Sequence, residues 1–147
     1  MKLQQIKMKV VKEETDIYYD GRKCNSPYLV EEILLDFYKQ EDEGVEKFSV
    51  IALDSKNKII GIQIISVGSV NATLVHPREV FKFAISSNAN SIFVAHNHPS
   101  GELEPSHEDI AITRRLQEAG ELIGIKLQDH FIVGENEIKS LRESGLF

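Results

Sequence analysis

Cysteine is nearly absent: Cys24 is the single one in 147 residues. One thiol closes no internal disulfide and rules out a cysteine-rich zinc site, and it fits a reducing cytoplasm. Long apolar runs are also missing. Nothing approaches the roughly 20 residues that span a bilayer, and the first residues carry no signal-peptide pattern. A cytoplasmic protein without membrane contact is therefore expected. Positive charge is in short supply, with 17 Lys and Arg against 23 Asp and Glu for a net charge of −6. A general nucleic-acid binder would show a basic patch or stripe, so direct nucleic-acid binding is not expected, although a local patch remains compatible with the total. No internal repeat or low-complexity tract breaks the chain. What is present is ordinary for one globular domain with a useful core: 41% apolar and 27% charged residues.

Periodicity divides the chain into elements. Ile6, Met8 and Val10 alternate with Lys7 and Lys9, which predicts a short edge strand. A polar lead-in to residue 25 follows. Ser26-Pro27 opens a helix whose apolar face is Leu29, Val30, Ile33, Leu34 and Phe37. Phe48–Leu53 and Ile59–Ile65 read as a hairpin joined at Asp54-Ser55-Lys56-Asn57, with Gly61 marking a bulge. Val70–Val75 would extend the sheet. His76-Pro77 starts a helix with Val80, Phe81, Ala84 and Ile85 inward, and Arg78 and Glu79 as a surface pair. Asn90–Ala95 is a buried strand. A helix runs from His107 to about Ala119 with Gly120 as its stop. Leu122–Leu127 and Phe131–Val133 are two strands around Gln128-Asp129-His130, and Glu137–Glu143 is a short helix. The order gives an α/β domain, a central mixed sheet flanked by helices.

The chemistry gathers between His96 and Asp109. If the strand that ends in Ala95 extends to His98, side chains two apart share a side, and His96 and His98 point to one place. Pro99 and Gly101 turn the chain. Ser106 is a good helix N-cap, and Asp109 stands three residues into the helix. Two imidazoles and a carboxylate at a strand end and a helix start make a three-ligand set for zinc, with a fourth position for water. Ser106-x-x-Asp109 is equally a capping box that needs no metal.

His96-x-His98, seven residues, Ser106, two residues and Asp109 resemble the JAMM signature of the JAB/MPN zinc metallopeptidases. His96-Asn97-His98-Pro99-Ser100-Gly101, Leu53–Asn57, Val75–Phe81 and Asp129–Gly134 resemble, in the same order, segments of the RadC family of JAB-domain proteins. The likeness runs from about Ser26 to Phe147, leaving residues 1–25 as a strand and lead-in. Such proteins usually carry a helix-hairpin-helix-like region ahead of this domain, for which this sequence has no room.

The resemblance implies a single JAB/MPN domain with a fold similar to that of cytidine deaminases. The deaminase signatures themselves, His-x-Glu and Pro-Cys-x-x-Cys, are absent. It implies Zn²⁺ on His96, His98 and Asp109, and Glu46 as the base that takes a proton from water and delivers it to the leaving amine. Ser106 would donate its hydroxyl to the oxyanion; it could also simply cap the helix. Glu43, Glu102, Glu104 and Glu108 are rival bases. His76 is a helix-entry residue, and His107 has no ligand role. Asp129 and His130 either orient a ligand histidine or form a buried pair without catalytic duty.

The function expected is zinc-dependent hydrolysis of peptide or isopeptide bonds, acting on a peptide or protein of unknown identity. The alternative is a non-enzymatic or DNA-associated accessory role, in DNA repair or on mobile elements, with a structural metal. A metal-dependent nuclease fits less well, because such sites favour Mg²⁺ and carboxylate-rich coordination. Oligomeric state is not legible.

Overall fold

The computed structural model describes residues 1–41, 44–68 and 75–147. Its elements are α1 (Pro27–Lys39), β1 (Lys47–Leu53), β2 (Ile59–Val67), α2 (Pro77–Ser86), β3 (Ser91–Asn97), α3 (His107–Ile123), β4 (Lys126–Val133) and β5 (Ile138–Ser140). The five strands form one mixed sheet in the order β2-β1-β3-β4-β5. β1 is antiparallel to both β2 and β3, β3 and β4 run parallel, and β5 returns antiparallel on the edge. The parallel pair needs a crossover, and α3 supplies it.

Strand alternation sorts the core into two layers. Phe48 and Val50 of β1 and Ile92 and Val94 of β3 face α2 and α3, meeting Val80, Phe81, Ile112 and Leu116. Ile51, Leu53, Phe93 and Ala95 face the other way, with Phe131 and Val133, and meet Val30, Leu34 and Phe37 of α1. Every residue of β1 and of β3 is buried, which is why both read as near-continuous apolar runs rather than alternating ones. The α/β class and mixed sheet expected from the sequence are the observed ones.

The hairpin closes where expected. Asp54 Oδ1 accepts from the backbone N–H groups of Lys56 and Lys58 at 2.8 and 2.9 Å, and Asn57 takes a left-handed φ of 59°. The ladder shifts register between Ala52 and Leu53, one residue from Gly61. Ser26 occupies the N-cap position of α1 but makes no side-chain cap bond; Pro27 alone shapes that start. His76 is the N-cap residue of α2, and Arg78 and Glu79 pair on the surface at 3.7 Å.

Several elements depart from the sequence reading. Residues 1–25 contain no strand. Ile6, Met8 and Val10 are exposed, so their alternation has no surface to bury against. Ile85 is exposed rather than packed. The helix expected to stop at Gly120 runs on to Ile123, and its left-handed cap is Gly124 at φ 84°. Gly120 serves close packing instead: a Cβ there would lie 2.4 Å from the Ile125 carbonyl oxygen. Lys126–Val133 is one strand, with Asp129 and His130 inside it. Residues 138–140 form β5, not a helix, because Ile138 and Ser140 pair with Val133 and Phe131. Of the expected sheet extension over 70–75, residues 70–74 lie outside the described residues, and Val75 is a buried residue just ahead of α2. Among the described residues, no helix is long and apolar enough to cross a membrane.

Candidate metal centre

The site forms where β3 ends and α3 begins. β3 stops at Asn97, but the His98 N–H still reaches the Val133 carbonyl at 3.0 Å, so the ladder holds His98 as a strand would. His96 and His98 therefore fall on one side. The chain then turns, with Gly101 N–H bonded to the His98 carbonyl at 2.9 Å. Ser106 starts α3 with a reciprocal capping box. Its Oγ accepts from the Asp109 N–H at 3.1 Å, and Asp109 Oδ2 accepts from the Ser106 N–H at 2.8 Å. Such a cap is worth about 1 kcal/mol. It also pins the Asp109 carboxylate at the helix start.

These constraints bring three donors together. His96 Nε2 lies 3.2 Å from Asp109 Oδ1, His98 Nε2 lies 3.3 Å from Oδ2, and the two Nε2 atoms are 2.9 Å apart. One ligand atom from each residue falls within 4.8 Å of the others. His96 and Asp109 are buried, and His98 is partly exposed, so the cluster opens to solvent on the His98 side. The capping box and the donor cluster, alternatives in the sequence, coexist. Oδ2 caps the helix while Oδ1 faces His96.

The donor set suits a cation. His98 Nδ1 donates to the Glu102 carbonyl at 2.6 Å. A carbonyl only accepts, so in the neutral ring the proton sits on Nδ1 and Nε2 keeps its lone pair. Burial alone would push the Asp109 carboxyl up. Hydrogen bonds from His96 and His98 in their protonated form, with the charge of protonated His96 and the Ser106 N–H, overcome this and hold it well below the usual carboxylate range. His98 is pushed up, first by its hydrogen bond to Asp109, against a smaller opposing effect of burial; the Glu102 carbonyl and the charges of Asp109 and Glu46 add to the rise. Two imidazole nitrogens and one carboxylate oxygen could hold a metal ion such as zinc.

Glu46 sits one residue ahead of β1. The register pairs Phe48 with His96, so continuing it outward sets Glu46 opposite His98, whose ring feels its charge. Its neighbours are tied down by Asn97. The Lys47 N–H donates to Asn97 Oδ1 at 2.6 Å, and Asn97 Nδ2 donates to the Val45 carbonyl at 3.0 Å. The Glu46 carbonyl accepts from the Gly68 N–H at 2.8 Å. The residue between the two histidines thus clamps both sides of Glu46 to β3. Sequence reasoning missed this role for Asn97, although its place inside His-Asn-His was a signal. Of the rival carboxylates, Glu104 is exposed and pairs with Lys139 Nζ at 3.0 Å, Glu102 and Glu108 are exposed, and Glu43 lies outside the described residues. His107 is exposed and lies outside the donor cluster.

Behind His96 lies a buried polar chain. His96 Nδ1 is 2.8 Å from His130 Nε2, His130 Nδ1 is 2.6 Å from Thr113 Oγ1, and Thr113 Oγ1 donates to the Asp109 carbonyl at 2.6 Å. Burial holds the His130 ring well below the ordinary histidine range, reinforced by the charge of His96. Phe48 stacks on His96 at 6.2 Å between centroids and meets His130 edge-on at 5.6 Å. Asp129 points to the opposite face of the sheet and takes no part. Thr113 was not legible as a site residue, since one threonine on an amphipathic helix carries no local signal.

A mixed sheet with a strand–helix crossover, bearing His-x-His at the strand end and Asp on the helix, defines an α/β domain of the JAB/MPN class. The chain belongs to the RadC-like JAB domain family, whose model matches residues 24–146. It is 48% identical over 122 residues to a UPF0758 protein of Desulfitobacterium hafniense, covering 83% of this chain and 53% of that protein. It is 54% identical over 102 residues to one of Caldanaerobacter subterraneus, covering 69% and 44%. A third, from Methanosarcina mazei, is 42% identical over 132 residues, covering 90% and 57%. The chain spans about half the length of these curated relatives.

Proposed function

We propose that this domain is a zinc-dependent hydrolase of peptide or isopeptide bonds. The convergence of His96 Nε2, His98 Nε2 and an Asp109 carboxylate oxygen carries the reading. Zinc held there would supply Lewis acidity, polarising the scissile carbonyl and acidifying a water. The rest is work for the chain. The Glu46 carboxylate takes a proton from the water as its oxygen attacks the carbonyl carbon, and returns that proton to the amine nitrogen as the C–N bond breaks. Ser106 Oγ accepts from the Asp109 N–H, which leaves the hydroxyl proton to be donated to the oxyanion. The N-terminus of α3 adds partial positive charge at the same place.

A groove of about 240 Å³ runs past His98 between α1 and the loop after β3, lined by Leu35, Tyr38, Lys39, Asn97 and Gly134 among others. It would take a stretch of substrate chain beside the site. The net charge of −6 and the buried free thiol of Cys24 support action in the cytoplasm on protein rather than on duplex nucleic acid.

Elemental analysis of protein purified without added zinc, with His98→Ala and Asp109→Asn beside it, tests the reading first. One zinc per chain in the wild type, lost from both folded variants, is the expected result. A Glu46→Gln variant should keep the metal and lose roughly 10²–10⁴-fold in peptide or isopeptide cleavage. Wild-type protein that takes up no zinc when it is supplied would overturn the hydrolase reading in favour of an accessory role.

A further inference from the structure

We propose that Thr113 and His130 form a positioning relay that sets which nitrogen of His96 carries the ring proton, so that Nε2 is presented as a lone pair to a bound metal. The inference rests on the metal-site reading above, but it concerns the chain's own protons.

The direction of every proton follows from what each atom can accept. The Asp109 carbonyl oxygen accepts only, so the 2.6 Å contact takes the single proton of the Thr113 hydroxyl. Thr113 Oγ1 then has lone pairs alone to offer to His130 Nδ1 at 2.6 Å, and the His130 ring must donate there. His130 is fully buried, and a neutral imidazole carries one ring proton. That proton is now on Nδ1, so Nε2 accepts. Its partner at 2.8 Å is His96 Nδ1, which must donate. In neutral His96, Nε2 is left with its lone pair, facing His98 Nε2 at 2.9 Å and Asp109 Oδ1 at 3.2 Å. His98 reaches the same state through a single carbonyl, that of Glu102.

The chain starts and ends on one residue. Asp109 offers its carboxylate to the cluster and its backbone carbonyl to Thr113, one turn further along α3. The helix that carries the third donor therefore also orients the first. Reversing any link would put a proton on His96 Nε2 and remove a ligand. Thr113 and His130 touch no substrate in this scheme; they act through His96.

The test reads ring nitrogens directly. Long-range ¹H–¹⁵N correlation spectra of metal-free, ¹⁵N-labelled protein, at a pH where the rings are neutral, should show Nδ1–H and bare Nε2 for His96 and His130. Thr113→Val removes the acceptor and keeps the shape. His96 should then show protonated Nε2, and the zinc Kd should rise about 10- to 100-fold, the usual effect of losing such a partner. Thr113→Ser keeps the hydroxyl and should restore both. A wild-type His96 protonated on Nε2 overturns the relay, and that measurement decides the matter even if Thr113→Val does not fold. Unchanged tautomers and unchanged Kd in Thr113→Val overturn it as well. Wild-type protein that binds no zinc would instead sink the metal reading, so the two failures are distinguishable.

Discussion

Asp129 and His130 are consecutive on β4 and serve opposite faces of the sheet. His130 turns toward α3 and reaches His96 and Thr113. Asp129 turns the other way and gathers the C-terminal turn. Its oxygens accept from its neighbour's N–H at 2.7 Å, from the Ser140 hydroxyl at 2.5 Å and from the Arg142 N–H at 3.0 Å. Both clusters are buried and polar, yet they are built differently. Around Asp129 the carboxylate oxygens are already occupied by donors, so the cluster is a knot that joins β4 to β5 and the residues after it. Around His96 the donors are spent on the far side of the rings, and lone pairs remain on the near side, converging on one point. Buried polarity by itself distinguishes nothing; acceptors of neutral rings and a carboxylate aimed at a common point mark the candidate metal cluster.

The comparison breaks if the two clusters respond alike to mutation. The largest expected effect is on metal binding. His98→Ala should weaken zinc binding by more than ~100-fold, beyond the loss of an outer partner, with little change in urea stability of the metal-free protein. Asp129→Ala should do the reverse. It strands buried donors on Ser140, Arg142 and the strand itself, at a cost of about 3 kcal/mol, while the folded fraction still binds one zinc with unchanged Kd. A variant of either kind that moved both readouts together would merge the clusters into one unit.

Ser106 stands between these extremes, because it is both cap and proposed donor. Ser106→Ala should cost about 1 kcal/mol in stability through the lost cap, measured by urea unfolding. Ser106→Asp, which can also cap a helix but brings no hydroxyl, should recover stability without recovering cleavage.

The subtlest effect is on pH dependence. Burial pushes the Asp129 carboxyl up, against hydrogen bonds from Ser140, Arg142 and its own strand and the charge of Arg142. A folded-state pKa above the unfolded value means the native state binds the proton more tightly. The associated stability is therefore fully present below the unfolded pKa near 3.9 and is lost as pH rises through the raised folded value. Above that window the curve should be flat in this respect. Denaturation midpoints of wild type and Asp129→Asn across the acid range would show the falling limb in the wild type alone.

Much of the fold was legible because local periodicity and burial agree there. α1, β1 and β3 bury the faces that their sequences advertise, and β2 and α2 do so in part. The exceptions have physical causes. Polar Asp129 and His130 look like a turn between two apolar runs, yet each has partners on a different face, contributed by residues far along the chain. Glu137–Glu143 is composed for a helix, but the pairing of Ile138 and Ser140 with Val133 and Phe131 overrides weak propensity. Gly120 looks like a helix stop and is instead a point of close contact with the Ile125 carbonyl.

The donors His96, His98 and Asp109 could be named from spacing because a strand end and a helix start are local structures with fixed side-chain directions. What surrounds them could not be read that way. The clamp of Asn97 on both sides of Glu46 depends on the register of β1 against β3. The path from Asp109 through Thr113 and His130 to His96 depends on α3 packing across β4. A hydrogen bond needs its partners within about 3 Å, and only the assembled sheet and helix bring residues 46 and 97, or 96, 113 and 130, to that distance.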